Sequence, residues 1–245
     1  MRAKISIVKV SDGVLPYDYQ YALACMLYDK LAVGDVQLAN QTHFHQGFKF
    51  YDFSNLLLDN YRSCPQGLLF DRAELIITSP DPVFVKTFAQ GLLQRPEFHL
   101  HGQICAITEI EVLKQRQIPS TCCFRTLSPI FVKTVRERDG NLVEWDLYPK
   151  DGKFHENVHH NLVKRYTEYY GQPPDSDHFE IIRVHDFKAK RIRIGGGPEE
   201  TQRRCSLMTF TAQGSPELLQ FAYDAGLGEK NAMGFGCLEV VDAQV

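Results

Sequence analysis

Hydrophobic and polar positions set out a repeating plan along the first half of the chain. Residues 3–10 read as a strand, and residues 17–31 carry apolar positions at helical spacing. On that helix Tyr17, Tyr21, Cys25 and Tyr28 fall on one face, with Leu23 and Leu27 beside them. Residues 48–58, rich in aromatic and aliphatic side chains, predict a strand, and residues 67–78 a further strand region. A second helix starts cleanly: Asp81 can cap it, Pro82 suits its first turn, and Arg95-Pro96 ends it. Residues 98–113 follow as a strand with Leu100, Ile104 and Ile107 apolar. The order β-α-β-β-α-β is that of a ferredoxin-like unit.

The second half repeats this plan with insertions. Residues 124–135 predict a strand, and Asp139-Gly140 a tight turn into a strand over 142–147. A helix over 158–170 closes at Gly171, with Pro173-Pro174 beyond it. Residues 179–184 and 205–211 are strand-like, Ser215-Pro216-Glu217 opens another helix that Gly226 ends, and residues 234–241 predict a last strand. Ser79-Pro80-Asp81-Pro82 before Phe88-Ala89 parallels Ser215-Pro216 before Phe221-Ala222, which hints at internal duplication. The expected fold is therefore α+β, two tandem ferredoxin-like (RRM-like) βαββαβ units. Their boundary is expected in the polar stretch 114–123 around Pro119, giving an N-terminal domain 1–118 and a C-terminal domain 119–245.

Composition narrows the class. A chain of 245 residues that is 44% hydrophobic can bury one large core or two small ones. The net charge of −3 excludes a globally basic, histone-like binder but leaves local basic patches open. Seven cysteines form no C-x-x-C pair, and adjacent Cys122 and Cys123 cannot readily form an unstrained bridge, so they read as reduced thiols. The N-terminus lacks the apolar core of a signal peptide, and no stretch approaches the ~18 apolar residues of a membrane span. A cytoplasmic protein without membrane contact is expected.

Residues 225–238, AGLGEKNAMGFGCL, carry Gly226, Gly228, Gly234 and Gly236 around Lys230 and Asn231. The Gly-Lys-Ser/Thr ending of a phosphate-binding Walker loop is missing. The glycines follow a helix and precede a strand, the reverse of a dinucleotide fingerprint. A helix cap followed by a glycine turn accounts for one or two of them. Four glycines in eleven residues also suit close backbone approach to an anion or nucleic acid.

This loop, with the helix before it and the strand after it, resembles the signature of the CRISPR-associated repeat-RNA endoribonucleases of the RAMP superfamily. The Tyr-Gln-Tyr-containing first helix and Thr126-Leu127-Ser128-Pro129-Ile130 match as well, so the resemblance spans nearly the whole chain. It implies tandem ferredoxin-like units and cleavage of precursor RNA within each CRISPR repeat, with no cofactor and no metal. In such chemistry the RNA's own 2′-hydroxyl attacks the adjacent phosphorus, leaving a 5′-hydroxyl and a 2′,3′-cyclic phosphate. Active members place a Tyr near the end of the first helix, then a His, then a Lys. By that matching Tyr28 is a general acid or positioning group, His43 the general base and Lys49 the transition-state stabiliser. The resemblance also implies contacts from Gly226, Gly228, Lys230, Asn231, Gly234 and Gly236 to RNA.

Each residue has a plainer reading. Tyr28 shares its face with Tyr21 and Cys25 and would be core; Lys49 would be a solvated strand residue. His43 and His45 form an H-x-H pair that on a strand would point both rings one way, and His45 rivals His43 as the base. His99 with His101, and His159 with His160, read as surface or packing residues. Lys188, Lys190, Arg191 and Arg193, followed by Gly195-Gly196-Gly197 and close in sequence to Arg203-Arg204, form the best basic cluster. They suit phosphate contacts, or else a charged strand edge. The partners implied are CRISPR repeat RNA and other Cas proteins of an interference complex, with a homodimer left open. The alternative reading is a non-catalytic RAMP RNA-binding subunit of such a complex.

Overall fold

In the computed structural model, which describes residues 1–195 and 201–241, the chain divides into two units. The first comprises Met1–Gln115 with Ala232–Gly234, the second Arg116–Asn231 and the residues from Phe235 onward. Gly196 and Gly197 lie outside the described residues.

The first unit opens with strand β1 (Arg2–Lys9), whose Ala3, Ile5 and Ile7 are buried while Lys4, Ser6 and Val8 face the other way. Helix α1 (Gln20–Gly34) packs Leu23, Ala24, Leu27 and Leu31 on that core. Tyr21 and Cys25, expected on the buried face, are exposed. The aliphatic stripe displaces the aromatic one because a helix buries one face, and each fully buried Leu contributes roughly 1.5–3 kcal/mol.

A helix the pattern did not announce follows, α2 (Val36–Phe44). Asp35 both ends α1 and caps α2, its carboxylate accepting from Gln37 N–H at 2.8 Å and Leu38 N–H at 3.0 Å. Residues 48–58 yield two short strands, β2 (Asp52–Phe53) and β3 (Leu57–Asp59), rather than one. A small hairpin, β4 (Arg62–Cys64) and β5 (Gly67–Leu69), precedes β6 (Arg72–Thr78). Helix α3 (Pro82–Gln94) starts where the sequence placed it, with the Asp81 carboxylate accepting from Val83 N–H at 2.8 Å. The strand expected over 98–113 is a hairpin, β7 (Glu97–Leu100) and β8 (Gln103–Val112), turned at His101-Gly102, both at positive φ. The sheet runs β2-β6-β1-β8-β7, with β3 also on β6. Without the extra edge strand β7, it is the antiparallel order of a ferredoxin-like unit.

The second unit repeats it. Strand β9 (Thr121–Thr126) is shorter than the predicted 124–135 strand, whose end becomes β10 (Lys133–Arg138). Asp139-Gly140, both at positive φ, turns β10 into β11 (Asn141–Asp146), a hairpin inserted ahead of α4 (Gly152–Tyr170). Strands β12 (Phe179–Ile194) and β13 (Thr201–Gly214) are far longer than their sequence patterns. Helix α5 (Pro216–Ala225) is capped by Ser215, whose Oγ accepts from Leu218 N–H at 3.2 Å. A turn of 3-10 helix at Asn231–Met233 leads towards β14 (Leu238–Val240). The sheet order β12-β13-β9-β14 matches the first unit's, so the chain is a tandem ferredoxin-like α+β protein. No helix among the described residues is long and apolar enough to cross a membrane.

Candidate active site

Three elements of the first unit bring Tyr28, His43 and Lys49 together. Tyr28 lies in the third turn of α1, half-buried at the edge of the core stripe. His43 stands in the last turn of α2, exposed, with its ring edge-on to the Tyr28 ring at 5.2 Å between centroids. After α2 the chain doubles back, and Lys49 returns to donate from Nζ to the Tyr28 hydroxyl at 3.0 Å and to the His43 carbonyl at 3.1 Å. Its ammonium also sits 5.3 Å from the Tyr28 ring centroid. One cation therefore fixes the end of α2 against α1, which orients the imidazole without occupying its nitrogens.

Beneath this trio lies Tyr51, which sequence reasoning passed over. It is buried, stacks on Phe84 at 4.3 Å, and meets Tyr28 edge-on at 6.3 Å. Burial first, then the Tyr28 phenol that hydrogen-bonds it, hold the Tyr51 phenol well above the ordinary tyrosine range. Tyr51 stays a neutral floor for Tyr28. Its signal was an aromatic ring two residues after Lys49, read as ordinary strand packing.

His43 and His45 do not share a strand face. His43 lies in the last turn of α2 and His45 is its C-cap; the ring contact with Tyr28 belongs to His43. His99 is exposed on β7, His101 Nε2 lies 3.2 Å from the Asp18 carbonyl, and His159 and His160 stack on α4. Among the described residues no three His, Cys, Asp or Glu side chains gather as a metal-binding group.

The glycine loop is tightly packed. Gly226, Gly228, Gly234 and Gly236 all adopt positive φ and are buried. A Cβ on Gly228 would come 2.6 Å from the Phe131 carbonyl, and one on Gly236 1.9 Å from the Leu227 carbonyl. Leu227 N–H donates to the Gly236 carbonyl at 3.0 Å, closing the loop on itself. Asn231 is buried and donates to the Phe235 carbonyl at 2.7 Å. Gly234 packs beside Phe53 within the first unit. The glycines thus serve close packing, and Lys230 is the loop residue that reaches solvent. Partial desolvation, then the charges of Arg203 and Lys133, hold its ammonium below the usual lysine range.

Beneath the loop lies a residue that sequence reasoning missed, Arg165 of α4, 1% exposed. It donates to the Gly226 carbonyl at 2.8 Å and the Ala225 carbonyl at 2.6 Å, capping the end of α5. The signal was available: Arg165 interrupts the apolar stripe Phe154, Val158, Leu162, Tyr166, and a charge on such a stripe needs partners.

Lys188, Lys190, Arg191 and Arg193 all lie on β12, where it pairs with β13. Alternation separates Lys188, Lys190 and buried Ile192 from Arg191 and Arg193, as the strand period requires. Arg203, on the Ile192 side, is drawn to Glu144 at 2.8 Å and Asp146 at 3.5 Å.

The sequence profile described as "CRISPR-associated protein Cas6, N-terminal" matches residues 14–111, and "CRISPR associated protein Cas6, C-terminal" matches residues 113–240. The chain is 34% identical to "CRISPR-associated endoribonuclease Cas6 1" of Methanocaldococcus jannaschii, over 99% of this chain and 93% of that protein. A solved structure described as "Characterization of a Cas6-related gene from Pyrococcus furiosus" superposes with a TM-score of 0.91 at 29% identity, covering 100% of this chain and 99% of the other. Another, described as "An RAMP protein binding different RNA substrates", gives 0.89 at 29% identity, over 99% and 100% of the two chains.

Proposed function

The chain belongs to the Cas6 family of CRISPR-associated proteins, and we propose that its Tyr28, His43 and Lys49 form the cutting centre of an endoribonuclease acting on CRISPR repeat RNA. Processing of CRISPR transcripts by an endoribonuclease is the activity its family carries. The single observation that carries the choice of residues is the Lys49 ammonium, bonded at once to the Tyr28 hydroxyl and the His43 carbonyl.

The reaction has three needs, and the trio supplies a group for each. His43, exposed and held edge-on to Tyr28, takes the proton of the attacking 2′-hydroxyl. Lys49 stabilises the charge that gathers on the phosphorane oxygens. Tyr28 donates to the leaving 5′-oxygen or positions the phosphate. The products are a 5′-hydroxyl end and a 2′,3′-cyclic phosphate, and no metal enters any step. The N-terminal domain 1–118 would then hold the chemistry and the C-terminal domain 119–245 the loop and basic strand. There Lys230, Lys188, Lys190, Arg191 and Arg193 supply phosphate contacts, while the four glycines and Asn231 shape the loop that presents Lys230.

The seven cysteines are all free thiols, which supports a reducing, cytoplasmic setting. Other Cas proteins of an interference complex, or a second copy of this chain, are the further partners of this reading.

Cleavage of repeat RNA in EDTA tests it. Cutting should persist, and should stop when the nucleotide before the cut carries a 2′-deoxy sugar. Complete dependence on a divalent metal rejects the mechanism. The similar structure described as a RAMP protein binding RNA favours a second reading, an RNA-binding subunit without catalysis. Equal RNA binding with no cutting by wild type or His43→Ala would select it.

A further inference from the structure

Trp145 is the single tryptophan of the chain and lies half-buried on β11. Two guanidiniums lie over its indole: Arg136 Cζ of β10 at 4.9 Å from a ring centroid and Arg204 Cζ of β13 at 4.6 Å. Across the β12–β13 ladder Arg204 directly faces Arg191. Three arginines therefore gather around one hairpin face inside the second unit.

The nearby carboxylates are spent elsewhere. Glu144 pairs with Lys133 and Arg203, and Asp146 takes the Arg203 guanidinium and the main-chain N–H of Arg204. Among the described residues no carboxylate is salt-bridged to the side chain of Arg136, Arg191 or Arg204. Like charges placed directly across a β-ladder oppose the pairing, and among the described residues no carboxylate pairs with these side chains to offset them. An anion would. A guanidinium stacked on an aromatic ring keeps its in-plane N–H groups free for bidentate bonds to phosphate, and the stacking fixes its orientation in advance.

We propose that Trp145, Arg136 and Arg204, with Arg191 beside them, form a phosphate-binding platform for single-stranded RNA. It holds the backbone and reads no sequence. The proposal rests on the reading of the chain as an RNA-binding protein, but uses none of the cutting residues. Arg136 and Arg191 are exposed and Arg204 half-buried, so the N–H edges remain within reach of a flexible strand.

The sole tryptophan reports on this site directly. Wild-type protein is titrated with a twelve-nucleotide oligouridylate, and separately with repeat RNA made uncleavable by a 2′-deoxy sugar. Binding is followed at once by RNA anisotropy and by tryptophan emission. Emission should change in step with anisotropy for both RNAs. Arg136→Gln with Arg204→Gln should weaken binding about tenfold per arginine. It should also lower the slope of log affinity against log salt by about 0.7 per lost contact. Arg191→Gln, exposed and away from the indole, gives the same slope change for one contact without touching the stack. Unchanged emission while RNA is bound, or wild-type affinity and salt slope in these variants, overturns the platform. Failure of the nuclease reading looks different: the wild type leaves cleavable repeat RNA intact while the emission change persists.

Discussion

Lys49 donates from Nζ to the Tyr28 hydroxyl at 3.0 Å, joining the hairpin-like return after α2 to a residue twenty-one positions earlier on α1. The same nitrogen reaches the His43 carbonyl at 3.1 Å, so the lysine both carries charge into the proposed centre and sets the end of the helix that bears the imidazole.

Removing either the Lys49 charge or the His43 imidazole should therefore slow cleavage, while removing His45 should not. Lys49→Ala should slow single-turnover cleavage by about 10²–10³-fold, the range for one lost stabilising donor. His43→Ala should cost about 10²–10⁴-fold, with RNA affinity retained. His45→Ala, at the C-cap of α2, should stay within about threefold of wild type, far short of a lost general base. A larger loss at His45 than at His43 would reverse their roles.

The loop glycines make a prediction about stability. Gly236 sits at φ 94° with the Leu227 carbonyl where its Cβ would stand. Gly236→Ala must shift a backbone segment that is hydrogen-bonded across the loop, Leu227 N–H to the Gly236 carbonyl. The expected loss is about 1–3 kcal/mol for the left-handed strain alone. Chemical denaturation measures it. A variant as stable as the wild type would mean that the loop opens at little cost.

Local signals carried most of the framework, because they are short-range chemistry. Asp81-Pro82, Ser215-Pro216, Asp139-Gly140 and Gly171 each mark a cap or turn, and each stands at such a boundary in the structure. The second helix α2 stayed hidden since Ala39 is its one fully buried residue, leaving almost no apolar period to read. The same omission turned His43 and His45 into a supposed strand pair. The trio of Tyr28, His43 and Lys49 was legible only through family resemblance, since a helix face, a helix end and a loop meet there by tertiary packing. Arg165, Tyr51 and the arginines around Trp145 were illegible for the same reason: their partners lie far away in sequence.

Arg165 is an unusual cap, because α4, separated from α5 by the two strands β12 and β13, supplies the donors for its last carbonyls. Arg165→Met keeps the length and apolar stem but leaves the Ala225 and Gly226 carbonyls without those donors. Each unsatisfied buried group costs about 1–3 kcal/mol, so the full chain should lose roughly 2–5 kcal/mol in chemical denaturation. Lys at this position, one cation with a different shape, should recover only part of it. Full stability in the Met variant would show that the carbonyls find other partners.

Glu229 gives a prediction with a definite pH sign. Its carboxylate accepts from Lys133 N–H at 3.0 Å, while its own N–H donates to the Phe131 carbonyl at 2.8 Å. Burial raises its pKa, and the opposing pull of the Lys133 N–H and of the Lys133 and Lys230 charges does not cancel the rise. A carboxyl whose folded pKa lies above its unfolded value of about 4.3 favours folding when protonated. That contribution is complete below the unfolded pKa and fades as pH rises through the folded one. Glu229→Gln keeps an oxygen acceptor for Lys133 N–H and cannot ionise. It should match the wild type near pH 4 and exceed it at pH 7, by less than about 1 kcal/mol given the site's partial exposure. Melting temperatures of both proteins across that range decide the matter. A Gln variant that loses ground as pH rises would show that the two lysine charges outweigh the cost of burial.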